Sequence, residues 1–165
     1  MGAPGDAGPA PRDGVSPDAS DDASDEVSDD ASDEVVVGAA IVRDGLLLAA
    51  RRTEPPHLAG GWELAGGKVE AGETDEEALV REVREELGVT VALGVRVGGD
   101  WPLGRYVLRV WLATIVDGAE PGPVEQHDAV RWVDLDDLTA VEWLPGDREP
   151  AFAAAALARA ERQGL

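Results

Sequence analysis

The chain has 165 residues, enough for one domain with a tail, and its 34 acidic against 14 basic side chains give a formal net charge of −20. That balance excludes a duplex nucleic-acid binder, which needs a basic surface. With no cysteine and only two histidines, His57 and His127, it also excludes a disulfide framework and a Cys- or His-rich metal centre.

No apolar run reaches membrane-spanning length, and the N-terminus lacks the basic start and apolar core of a secretory signal. The expectation is a cytoplasmic protein with no membrane partner. The charge is uneven. Residues 1–34 hold eleven acids and one base, Arg12, and so carry half of the net charge. Within them SDDASDEV begins at Ser20 and repeats at Ser28, the second copy ending on Val35. It has almost nothing apolar to bury, so residues 1–34 are predicted to be a disordered acidic tail. The folded domain is predicted over 35–165.

VVVGAAIV (35–42) and LLLAARR (46–52) flank Asp44-Gly45, a strong hairpin signal. Pro55, Pro56, Gly60 and Gly61 make a loop before a short strand from Trp62 to Ala65. A helix opens at Thr74, with Glu77 completing a capping box. Leu79, Val83 and Leu87, with Ala78, form its buried stripe, and Gly88 ends it. Strands are predicted over 89–97, 105–116 and 129–133, and an alanine-rich helix from Pro150 to about Arg162. This order implies an α/β domain, a mixed sheet with helices against it. Trp62, Trp111 and Trp132 fall in strands and are expected in the core.

The helix that opens at Thr74 breaks local rules. Glu82, Glu85 and Glu86 project together beside the buried stripe. Glu82 and Glu86 are a like-charge i,i+4 pair, and Glu85 and Glu86 sit in the last turn, where the dipole favours cations. Such conflicts are expected at functional sites, and a hard divalent cation shared with substrate phosphates would resolve this one.

Gly67, Glu73, Arg81, Glu82, Val83, Glu85, Glu86, Gly88 and Val89 fill every defined position of G-x5-E-x7-R-E-U-x-E-E-x-G-U, with U a bulky aliphatic. The stretch thus resembles the box of the Nudix hydrolase family. The resemblance implies a Nudix α/β/α sandwich and Mg²⁺-dependent hydrolysis, with Mn²⁺ a possible substitute. It implies Gly67, Glu82, Glu85 and Glu86 as metal ligands, Arg81 and Glu73 as their support, and Glu85 as the proton acceptor.

AARR and WELAGGKVE resemble the MutT-like branch, in which Arg52 and Lys68 match phosphate-contacting positions. The base-reading position of that branch corresponds to Asp147 in WLPGDREP. An ionised Asp only accepts hydrogen bonds and would suit the amino group of cytosine; a helix cap is the other reading of Asp147. The wording is similar to the CTP pyrophosphohydrolase (dCTP diphosphatase) subgroup. Leu64 stands where guanine-directed members often have Phe, and Trp101, in a predicted loop, could stack on a base. The acid that many MutT-like proteins carry before the strand of Trp132 aligns with Gln126, although Glu125 or Asp128 lies close enough to substitute.

The expected function is a pyrophosphohydrolase that converts CTP or dCTP, or 5-modified forms, to the monophosphate and pyrophosphate. An 8-oxo-dGTP diphosphatase or a non-catalytic nucleotide-binding module are the alternatives. The expected partner is the nucleotide itself, bound to a monomer or homodimer.

Overall fold

The structure, a computed structural model, describes residues 34–164. The predicted tail lies outside them apart from Glu34, and its repeat apart from Glu34 and Val35. Strands β1 (Glu34–Arg43) and β2 (Leu46–Arg52) are joined by Asp44-Gly45, with φ of 53° and 80°. Both central residues are left-handed, as a two-residue hairpin turn of this hand requires, and Val42 pairs with Leu47.

β3 (Trp62–Glu63) and β4 (Ala65–Lys68) follow, then α1 (Asp75–Leu87), β5 (Val91–Leu103), β6 (Tyr106–Ile115), β7 (His127–Asp134) and α2 (Pro145–Arg162). The seven strands form one mixed sheet. Its main path is β3-β2-β1-β6-β5, with β4 on β1 and β7 on β2. β1 is central: it runs parallel to β6 and antiparallel to both β4 and β2.

Side chains alternate along β1, so it feeds two cores. Val37, Ala39 and Ile41 pack with Ala78, Leu79, Val83 and Leu87 of α1. Ala40, with Val36 and Val42, belongs to the opposite layer, closed by Ala151, Ala154, Ala155 and Ala158 of α2. The architecture is therefore the expected α/β/α sandwich. Trp111 is buried, and Trp62 and Trp132 are half-buried against the cores. Among the described residues no helix is long and apolar enough to cross a membrane.

Three elements depart from expectation. β4 is a strand, although AGGK has weak strand propensity; pairing with β1 imposes it. β5 continues through the predicted loop to Leu103, absorbing its glycines as irregularities between Leu93 and Arg96 and between Val97 and Trp101. Trp101 therefore lies in a strand. α2 begins at Pro145, a favourable first helical position, and Pro150 is inside it.

Candidate active site

α1 is set by its termini. The Thr74 hydroxyl accepts from the Glu77 N–H (3.1 Å), and Glu77 accepts from the Thr74 N–H (2.9 Å). Gly88 closes the other end at φ 73°. This fixes the helical phase, with Leu79, Val83 and Leu87 inward and Arg81, Glu82, Glu85 and Glu86 along the margin facing β4.

Arg81 is the hub of that margin. Its Nε donates to Glu73 (2.7 Å), and its terminal nitrogens donate to Glu73 (2.9 Å), Glu82 (3.0 Å), Glu85 (3.2 Å) and the Lys68 carbonyl (3.2 Å). The bond from Arg81, aided by the Glu70 N–H, holds the Glu73 carboxyl below its usual range. Burial pushes Glu82 upward despite Arg81. Glu86 accepts the Gly66 N–H at 3.1 Å. Burial, with Glu63 and Glu82 nearby, pushes it up to about 8.

The two glycines of β4 allow this close approach. A Cβ on Gly66 would lie 1.8 Å from the Val37 carbonyl oxygen. One on Gly67 would lie 2.4 Å from the Glu82 carboxyl carbon, so the glycine leaves a cradle in which that carboxylate lies against the strand.

A second group adjoins Glu86 through Glu63. Asp147, in the first turn of α2, accepts the Leu64 N–H at 3.1 Å and makes no helix cap. Burial, reinforced by Glu63, pushes its carboxyl up to about 7. Glu63 accepts from Arg52 (3.2 and 3.3 Å) and lies 2.8 Å from His127 Nε2. His127 is 6% exposed, and its Nδ1 is buried without a partner among the described residues. Arg52 is thus engaged by Glu63.

Glu63 and His127 are the members sequence reasoning missed. They come from β3 and β7, on opposite sides of β2. A carboxylate within an apolar strand was the available signal. Leu64 is buried between the two groups.

Trp101 is half-buried, with its indole N–H on the Val97 carbonyl (2.9 Å). It pairs with Leu108, on the α2 side of the sheet. Lys68 lies 5.4 Å from the Tyr106 ring centroid. Of the alternative acids before Trp132, Asp128 is bound to Arg51 (2.8 Å) and Glu125 is exposed. A cavity of 590 Å³ lies elsewhere, between the β1–β2 turn and the end of α2.

Residues 33–154 match the NUDIX domain family. The chain belongs to the Nudix hydrolases. A putative 8-oxo-dGTP diphosphatase 2 from Mycobacterium tuberculosis is 48% identical over 118 residues, covering 69% of this chain and 82% of that protein. The CTP pyrophosphohydrolase of Escherichia coli is 37% identical over 115 residues, covering 68% and 84%. Among solved structures, the MutT Nudix hydrolase of Burkholderia pseudomallei aligns with a TM-score of 0.61 at 33% identity, covering 74% of this chain and 98% of that one.

This Nudix hydrolase is thus a MutT-like enzyme of nucleotide phosphoanhydride bonds. Nudix hydrolases generally use divalent metals, and the residues here fit one. The donors are carboxylate oxygens and a backbone carbonyl, the set hard cations prefer. Glu82 and Glu86 are desolvated carboxylates whose charge a cation would compensate. As the side chains stand, no three metal-ligating residues among those described meet around one point. Glu85 is drawn to Arg81.

Proposed function

We propose that the protein is a Mg²⁺-dependent nucleoside triphosphate pyrophosphohydrolase. It releases a nucleoside monophosphate and pyrophosphate, with cytosine nucleotides (CTP, dCTP or 5-modified forms) preferred. Gly67, Glu82, Glu85 and Glu86 would hold the cation, with Mn²⁺ an acceptable substitute. When bound, it supplies polarisation of a phosphate and compensation of charge between two anionic partners.

The chain's own residues do the rest. Arg81 keeps Glu73, Glu82 and Glu85 in place, so that the acids approach one another without driving α1 apart. Glu85, the most exposed of the three helix acids, accepts the proton of the attacking water. Lys68 meets the phosphates. Trp101 offers a ring face beside Leu108 for the base, and Leu64 packs beneath it. Arg52, also assigned to the phosphates, is held in place by Glu63.

The observation that carries the base preference is the bond from the Leu64 N–H to Asp147. It brings a carboxylate from α2 to the edge of the sheet beside Glu63. Two acceptor-only groups suit an exocyclic amino donor, as on cytosine, and repel the O6 acceptor of guanine.

A second reading has support in the 48% identity to the mycobacterial putative 8-oxo-dGTP diphosphatase 2 and in the raised pKa of Asp147. When protonated, that carboxyl also donates, and it can then meet a carbonyl edge. The experiment compares kcat/KM for dCTP and 8-oxo-dGTP in the wild type and in Asp147→Asn. The cytosine reading expects dCTP to lead in the wild type and its lead to shrink by about tenfold or more in the variant, the scale of one base-edge contact. A wild type that favours 8-oxo-dGTP at pH 8 overturns it.

A further inference from the structure

Most arginines around the sheet are spent on carboxylates. Arg51 pairs with Asp128, Arg52 with Glu63, Arg96 with Asp100, and Arg109 with Asp75 and Asp100. Lys68 and Arg105 differ. Each lies 5.4 Å from the centroid of the same Tyr106 ring, and neither has a carboxylate partner among the described residues. Two more polar atoms there have no partner among the described residues: one terminal nitrogen of Arg105 and the Tyr106 hydroxyl, both buried. In a chain of net charge −20, two cations around one ring with no carboxylate partner among the described residues suit an anionic ligand. Unsatisfied buried polar atoms beside them are a known mark of a ligand site.

Its place in the fold says which anion. Lys68 directly follows Gly67 and pairs with Val36, whose side chain is on the α2 side of the sheet. Tyr106 is two residues from Leu108, on that same side. Arg105 is held over the ring by the two-residue turn Gly104-Arg105, with Gly104 at φ 61° and Leu103 paired to Tyr106. Along the chain the cluster lies past Gly67, four residues from Leu64 and its bond to Asp147, on the face of the sheet that α2 covers. A forked guanidinium and a point-charge ammonium side by side match successive phosphates of a chain.

We propose that Arg105, acting with Lys68 and the Tyr106 hydroxyl, forms the subsite for the polyphosphate end of the substrate, the portion that departs as pyrophosphate. This rests on the triphosphate reading above and adds the residue that selects chain length. Arg105 contacts phosphate and takes no part in reading the base.

The test titrates inorganic tripolyphosphate with Mg²⁺, and separately CMP, into the full chain. Arg105→Gln weakens tripolyphosphate binding by about tenfold or more, the scale of a lost charge-assisted bond, and leaves CMP unchanged. Arg105→Lys restores part of the loss, and Tyr106→Phe shows a smaller one. Unchanged tripolyphosphate binding in Arg105→Gln overturns the proposal, as does an equal loss for CMP. Tighter binding in that variant also overturns it, since the cations would then serve the chain's own acidic residues 1–33. Arg105-dependent tripolyphosphate binding without any preference among bases keeps this subsite and removes the base reading.

Discussion

Gly66 and Gly67 are neighbours with different tasks, and the difference is measurable. Gly66 is packed against backbone: a Cβ would sit 1.8 Å from the Val37 oxygen, which cannot move without breaking β1 from β4. Gly66→Ala should cost about 1–3 kcal/mol of stability, the usual range for overpacking. Gly67 is packed against the end of the flexible Glu82 side chain. Gly67→Ala should fold with nearly wild-type stability, yet Mg²⁺ affinity should fall about tenfold, as when a ligand's support is disturbed. Chemical denaturation and metal titration of both variants check this. Equal effects in the two would contradict the distinction.

Asp147 gives a pH dependence with a definite sign. Its folded pKa, about 7, exceeds its ordinary 3.8. The native state therefore holds a proton that the unfolded chain releases, and stability falls as pH rises between those values. The wild-type Tm should decline over that window more steeply than that of Asp147→Asn. Base choice should move too: the ratio of dCTP to 8-oxo-dGTP turnover should rise through about pH 7, as the carboxyl loses its donor. A ratio that is flat or falls would remove Asp147 from base reading.

Among the elements, α1 was the most legible in the sequence. Its cap, stripe and terminating glycine are local features, and the capping box is present as expected. Thr74→Ala should therefore cost about 1 kcal/mol, read from the shift of a denaturation midpoint. The β1–β2 hairpin was equally plain, because Asp44-Gly45 carries the turn within two residues.

β4, the far half of β5 and the start of α2 were not legible. β4 is a strand by tertiary pairing alone, and glycines in β5 signal a loop unless a partner strand holds them. Pro150 reads as a helix start because an interior proline removes a helical N–H, yet Pro145 supplies the true first turn. That Arg81, Glu82, Glu85 and Glu86 would lie near one another was legible, since they are three and four residues apart on one helix. The Glu63, His127 and Arg52 group was not, because three strands must register before those residues meet.

At the scale of the molecule, the sheet divides labour between its two helices. α1 carries Glu82, Glu85 and Glu86, to which the proposal gives the phosphates, and α2 carries Asp147, to which it gives the base. The whole is strongly anionic, as nucleotide phosphates are, and on the proposed reading a divalent cation would stand between the two. In the proposed arrangement, a base beside Asp147 and a polyphosphate end beyond Gly67 would leave the link between the first and second phosphates near the acids.

The most direct measurement is a phosphorus NMR record of CTP or dCTP turnover, with Mg²⁺ and then with excess chelator. The expected result is monophosphate and pyrophosphate in equal amounts, and no turnover once the cation is removed. Diphosphate with inorganic phosphate, or hydrolysis that persists in chelator, would contradict the account.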